Sequence, residues 1–167
     1  MSLLTIILAT RGRPHLLIPT IEQTLRNLVR PDTRLVVATD HDDQASIDAL
    51  SAFSADNRVI PSVMQREDTL GEKYNNRVDV APADVYLVMV DYAPMATPGF
   101  DQLLLDAVVW PDKIGVIYGN RMPNLSFPEI NAVTRRLVDI MGGIYPPYWP
   151  YWFIDHWLDD IGRMIGR

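Results

Sequence analysis

The run LLTIILAT, from Leu3 to Thr10, leaves little choice of architecture. It is almost unbroken in apolar and β-branched residues, whereas a strand with one wet face alternates. Such a strand is buried on both faces, which requires a sheet with layers packed above and below it. Four more strand-like runs follow: RLVVAT (34–39), RVIPSVM (58–64), DVYLVMVD (84–91) and IGVIYG (114–119). Pro61 marks the third as an edge strand or a bulged one. Between the runs lie stretches with helical spacing. The first runs from RGRP to near Val29, with Pro14 or Pro19 tolerable in its first turn. Then come QASIDALSAF, LGEKYNNRVDVA, PGFDQLLLDAVV, EINAVTRRLVDIM (closed by Gly142 and Gly143) and DHWLDDIGRMI. This alternation predicts an α/β fold with a mostly parallel central sheet flanked by helices.

A chain of 167 residues suits one such domain, burying roughly 70% of its unfolded surface. No internal repeat or low-complexity linker divides it, so residues 1–167 read as a single domain. The formal charge of -6 argues against nucleic acid and anionic membranes as partners, but leaves room for a local basic pocket. The absence of cysteine excludes disulfides and thiolate metal sites, and agrees with a reducing, cytoplasmic location. No apolar run approaches the roughly 18 residues of a membrane span. The N-terminal run leads directly into the patterned domain and does not read as a signal peptide.

In open parallel sheets, ligands bind beyond the carboxyl ends of the strands. That rule selects Thr10 to Arg13, Asp40 to Asp43 and Asp91 to Ala93. Two ligand classes drop out at once, because neither a glycine-rich dinucleotide fingerprint nor a G-x-x-x-x-G-K-[ST] phosphate loop is present. A phosphoacceptor receiver domain would need paired acids after the first strand, whereas here they follow the second and fourth.

Three segments carry a resemblance: TIILATRGRP at the start, the acids of TDHDD after the second strand, and LGEKYNNRVDVAPADVYLVMVD. In their order and spacing they resemble family 2 glycosyltransferases, which have the Rossmann-like GT-A fold. The resemblance covers about Thr5 to Phe100, and more weakly FIDHWLDDIGR near the C-terminus. It implies that the chain binds a nucleotide-diphospho-sugar and transfers the sugar to an acceptor hydroxyl on a glycan, lipid or small molecule. Thr10, Arg11 and Arg13 would lie near the base and phosphates, with Asp40 accepting from the base or ribose. Lys73 and Asn76 would meet the ribose and diphosphate, where a cation and an amide suit the chemistry. Asp91 would be the first acid of a D-x-D motif, but Ala93 stands where the second belongs.

That departure bears on the cofactor. The family's second acid ligates Mg²⁺ or Mn²⁺ across the diphosphate, and alanine offers no donor atom. Asp91 and a late histidine, His156, are the candidate ligands. The resemblance also implies a late acid as general base, for which Asp155 is the best match and Asp159 and Asp160 are alternatives. Tyr148, Trp149, Tyr151 and Trp152 could stack on an acceptor sugar. The 145–157 aromatic cluster equally suits core packing or a homo-oligomer interface.

Plain structural roles compete with these. Asp40 suits a turn, Asp42 or Asp43 a helix cap, and Asp155 a first-turn position. Two further functions also fit the residues: a catalytically impaired nucleotide-sugar-binding module, and a nucleotidyltransferase-like enzyme whose basic loop is echoed by RGRP.

Overall fold

The run that constrains the fold becomes β1 (Ser2–Ala9), an interior strand. The computed structural model describes residues 2–119, 131–148 and 153–167. Along β1, Leu4, Ile6 and Leu8 join one apolar cluster, and Ile7 and Ala9 join another on the opposite face. Burial on both faces is why the run does not alternate.

After β1 come α1 (Pro14–Asn27), β2 (Arg34–Asp40), α2 (Gln44–Leu50), β3 (Val59–Met64), α3 (Leu70–Asn75) and β4 (Ala83–Val90). Then follow α4 (Phe100–Asp106), β5 (Val116–Tyr118), β6 (Asn131–Thr134), α5 (Arg135–Met141) and α6 (Ile154–Ile165). The strands form one sheet in the order β3-β2-β1-β4-β6-β5. Neighbours among the first four are parallel, while β6 runs antiparallel to both β4 and β5. The fold is thus mixed α/β with a mostly parallel sheet. On one face lie Leu17 and Ile21 of α1, Leu50 of α2, and Phe100 and Leu104 of α4. The other face is covered by Tyr74 of α3, Leu137 and Val138 of α5, and Ile154 and Leu158 of α6.

Pro61 sits on β3 at the sheet's edge, where its missing N–H costs no ladder bond on the open side. Pro14 opens α1, while Pro19 lies inside it.

Two helical expectations need correction. EINAVTRRLVDIM is not helical throughout: Asn131–Thr134 is β6, and the helix begins at Arg135. Glu129 and Ile130 lie outside the described residues. All four β6 residues are buried between β4 and β5, so ladder bonds and burial outweigh a local pattern that fits a helix. LGEKYNNRVDVA is helical only to Asn75, whose side chain is committed elsewhere, as described below.

Candidate functional site

The carboxyl ends of β1, β2, β3 and β4 share one edge of the sheet, and the chain reverses its order of addition there. From β1 it builds outward through β2 to β3, then returns to place β4 on the other flank of β1. A crevice opens at such a switch point, between strands whose connections diverge. Here a cleft of about 160 Å³ is lined by Thr10, Arg11, Arg13, Asp40, Lys73 and the 66–70 segment.

Asp40 organises this cleft. It ends β2 and is buried, and its two oxygens are divided between two cations. Oδ1 accepts from Lys73 Nζ at 2.5 Å and Oδ2 from Arg11 Nη1 at 2.7 Å. A dry carboxylate persists only with such partners. Arg11 also forks onto Asp42, at 2.6 and 2.9 Å. Those bonds pull the Asp42 carboxyl down to about 2. Donating to Asp42 and Asp40 in turn raises the Arg11 guanidinium above its ordinary value. Gly12 takes the left-handed turn (φ 65°) that directs its N–H to Asp43 Oδ2 at 2.7 Å. Asp43 is also the cap of α2, accepting from Ser46 N at 3.3 Å. Burial pushes the Asp43 carboxyl up, but the Ser46 and Gly12 bonds outweigh it, and the net shift is downward.

Lys73 reaches Asp40 because α3 is pinned at both ends. Thr69 and Glu72 form a reciprocal capping box at 3.0 and 3.2 Å, and Thr69 Oγ1 also donates to Pro147 O at 2.7 Å. At the other end, Asn75 Nδ2 donates to Tyr145 O at 2.7 Å. Its Oδ1 accepts from Ile144 N at 2.8 Å and Tyr145 N at 3.1 Å. Asn75, not Asn76, is therefore the asparagine with a structural task. Asn76 is exposed, outside the cleft lining, with a long 3.4 Å contact to Glu67.

Behind the cleft, Arg77 is wholly buried and paired with Glu67 through Nη1 and Oε1. Its Nε and Nη2, and Glu67 Oε2, have no hydrogen-bond partner among the described residues. Desolvation lowers the Arg77 guanidinium to about 10, with the Asp40 charge opposing. Sequence reasoning missed Arg66, Glu67, Thr69 and Arg77. The T-x-x-E capping signature in DTLGE was the legible signal, since it places Thr69 at the helix start.

Asp91 lies just past β4 and is wholly buried beneath the cleft. Its Oδ2 accepts from Thr10 Oγ1 at 2.7 Å, and its backbone oxygen accepts from Thr20 Oγ1 at 2.7 Å. Oδ1 lies 2.8 Å from Arg13 Nη2, an ion pair without hydrogen-bond alignment. Arg13 also lies over the Tyr92 ring, 5.7 Å from its centroid.

Asp155 and His156 sit in the first turn of α6, outside the cleft lining. Asp155 Oδ1 accepts from His156 N at 2.9 Å and faces His156 Nδ1 at 3.0 Å. Burial, with the Asp155 charge adding, raises the phenol of Tyr145, whose ring lies 5.6 Å from that of Tyr74. Tyr148 is exposed, and Trp149, Tyr151 and Trp152 lie outside the described residues.

The described residues form no ready divalent-cation site. The Asp91 carboxylate is committed to Thr10 and Arg13. Ala93 is buried in the apolar cluster of α1 and α4, where an acid would be stranded. Among the described residues, no three His, Asp or Glu side chains converge.

No family model matches the chain, and no curated relative does. Solved structures share its fold. A mannosyltransferase from Pyrobaculum calidifontis, in complex with GDP-Man and Mn²⁺, superposes with a TM-score of 0.72 at 13% identity, over 87% of this chain and 48% of its own. S. aureus TarS 1–349 with UDP-GlcNAc gives 0.64 at 12% identity, over 85% of this chain and 48% of that one. A CMP:2-keto-3-deoxy-manno-octonic acid synthetase complexed with CTP gives 0.63 at 14% identity, over 99% of this chain and 86% of that one. The chain thus spans about half the length of the two glycosyltransferase structures. At these identities the likeness establishes a fold, one shared by GT-A glycosyltransferases and nucleotidyltransferases. Among the described residues, no helix is long and apolar enough to cross a membrane.

Proposed function

We propose that the cleft binds a nucleotide-diphospho-sugar and that the chain transfers the sugar to an acceptor hydroxyl. The observation that carries this reading is the charge of the cleft. Four cations, Arg11, Arg13, Arg66 and Lys73, line it against two acids, Asp40 and Glu67, in a chain whose formal charge is -6. A local concentration of cations against the protein's overall sign favours an anionic ligand. Its place at the switch point of a fold shared with proteins solved with GDP-Man and UDP-GlcNAc supports the nucleotide sugar.

In this reading Lys73, Arg11 and Arg13 hold the diphosphate, while Asp40 and Thr10 orient the ribose or base. Asn76 and Asp91 stay with this donor site as proposals, Asp91 acting from beneath through Arg13 and Thr10. Asp155 is the proposed base: it takes the acceptor hydroxyl proton as that oxygen bonds the anomeric carbon. The bond from that carbon to the diphosphate breaks, and the nucleoside diphosphate leaves with the electron pair. The cleft cations supply charge neutralisation for the leaving group, so no step here is routed through a metal.

A nucleotidyltransferase reading is favoured by one specific observation. The CTP-bound synthetase is matched over 86% of its length, against 48% for the glycosyltransferases. A thermal-shift panel of UDP-, GDP-, CMP- and dTDP-sugars, with and without Mn²⁺, separates the readings, because a ligand bound to the folded state raises Tm by mass action. Nucleotide-sugar stabilisation with sugar transfer supports the glycosyltransferase, and stabilisation without turnover supports a binding module. Pyrophosphate release from a nucleoside triphosphate supports the nucleotidyltransferase. No shift with any of these nucleotide sugars would sink the glycosyltransferase reading. Asp155→Asn should abolish turnover and leave donor binding intact.

A further inference from the structure

The cations of the cleft are not equally available. Lys73 and Arg11 share the buried Asp40, Arg11 is further held by Asp42, and Arg13 is paired with Asp91. Arg66 lines the same cleft, is exposed, and has no carboxylate partner among the described residues. It also sits on a short segment tied down on both sides of it, since Met64 O accepts from His41 N at 2.8 Å just before it. Its neighbour Glu67 is held by buried Arg77, and Thr69 is fixed by the capping box and by Pro147 O. The backbone that carries Arg66 is therefore set before any ligand arrives, which lowers the ordering cost of using its side chain.

We propose that Arg66 is the ligand-contacting residue that reads negative charge at the rim of this cleft, binding a phosphate of the nucleotide. The assignment rests on the nucleotide-sugar reading above and adds to it a residue that neither motif nor resemblance selected. Arg11 and Lys73 can serve an incoming phosphate only by sharing or giving up Asp40. Among the described residues Arg66 has no carboxylate to give up, so its charge is available to a ligand. A guanidinium also offers paired donors that match phosphate geometry.

The test compares wild type, Arg66→Gln and Arg66→Lys by titration with UDP, GDP, CMP and the corresponding free nucleosides, at low and high salt. For the best nucleotide, Arg66→Gln should weaken binding about ten-fold, the scale of one lost charge-assisted contact. Arg66→Lys should recover part of that loss, free nucleoside binding should be unchanged, and the wild-type advantage should shrink at high salt. Unchanged nucleotide binding in Arg66→Gln overturns the assignment and leaves the nucleotide-sugar reading standing. An equal loss for nucleoside and nucleotide also overturns it, because phosphate charge is then not what Arg66 reads. If wild type binds none of the nucleotides, the parent reading fails and the assignment falls with it.

Discussion

Thr10 Oγ1 donates a 2.7 Å hydrogen bond to Asp91 Oδ2, joining the carboxyl ends of β1 and β4 across 81 residues of sequence. This link lies at the switch point of the sheet, with Arg13 on the other carboxylate oxygen. Asp91 is therefore a strut of the site's floor. Asp91→Ala strands the Thr10 hydroxyl in a buried place and should cost about 1–3 kcal/mol in urea unfolding. Asp91→Asn keeps an acceptor for Thr10 and should cost less. Wild-type stability in Asp91→Ala, with only ligand binding lost, would show that the carboxylate belongs to the ligand instead.

The Glu67–Arg77 pair makes a second, larger prediction. Arg77 is wholly buried, so removing its carboxylate leaves an uncompensated charge. Glu67→Gln should destabilise by about 3–5 kcal/mol. The double replacement Glu67→Leu with Arg77→Met should cost less than Glu67→Gln alone, since it removes both charges. Denaturant melts of the three proteins decide the order.

Acid stability should carry the mark of Asp42. Its folded carboxyl titrates at about 2, below the ordinary value of about 3.9. The unfolded chain thus binds more protons over that interval, and stability rises with pH through it. The contribution is fully present above about pH 4 and is lost as pH falls through the folded value. Asp42→Asn should flatten this limb of the Tm-against-pH curve. An unchanged limb would mean that Arg11 does not hold Asp42 in solution.

Gly71 tests the seating of α3. A Cβ there would lie 2.6 Å from the backbone oxygen of Pro146. Gly→Ala inside a helix ordinarily favours folding by about 1 kcal/mol, so a slack contact predicts a higher Tm. The close approach predicts the reverse. Gly71→Ala should lower Tm and weaken the proposed nucleotide binding, because the displaced helix carries Lys73 away from Asp40.

Much of the sheet was legible because its strands are local runs. The both-faces-buried pattern of β1, β2 and β4 identifies them, and Pro61 marks β3 as an edge or bulged strand, of which the sheet order selects the edge. The strand ends then pointed to Thr10, Arg11, Arg13 and Asp40, which do line the cleft, as does Lys73, which the resemblance selected. β6 was not legible, since Asn131–Thr134 continues smoothly into a helical pattern and becomes a strand only by pairing with β4 and β5. The structural task of Asn75 was equally hidden, because its partners are backbone atoms some 70 positions away.

By itself, then, the sequence determined the layer architecture and the edge of the sheet where polar residues gather, because hydrophobic period and strand ends are short-range properties. Tertiary structure decided what each polar residue does there. Asp40 is divided between two cations, Asp91 is a buried strut, Ala93 sits in the apolar core, and Arg66 has no carboxylate partner among the described residues. Those outcomes depend on which side chains meet across long loops. A pairing between carboxylate and cation leaves no mark on either residue's neighbours in the chain.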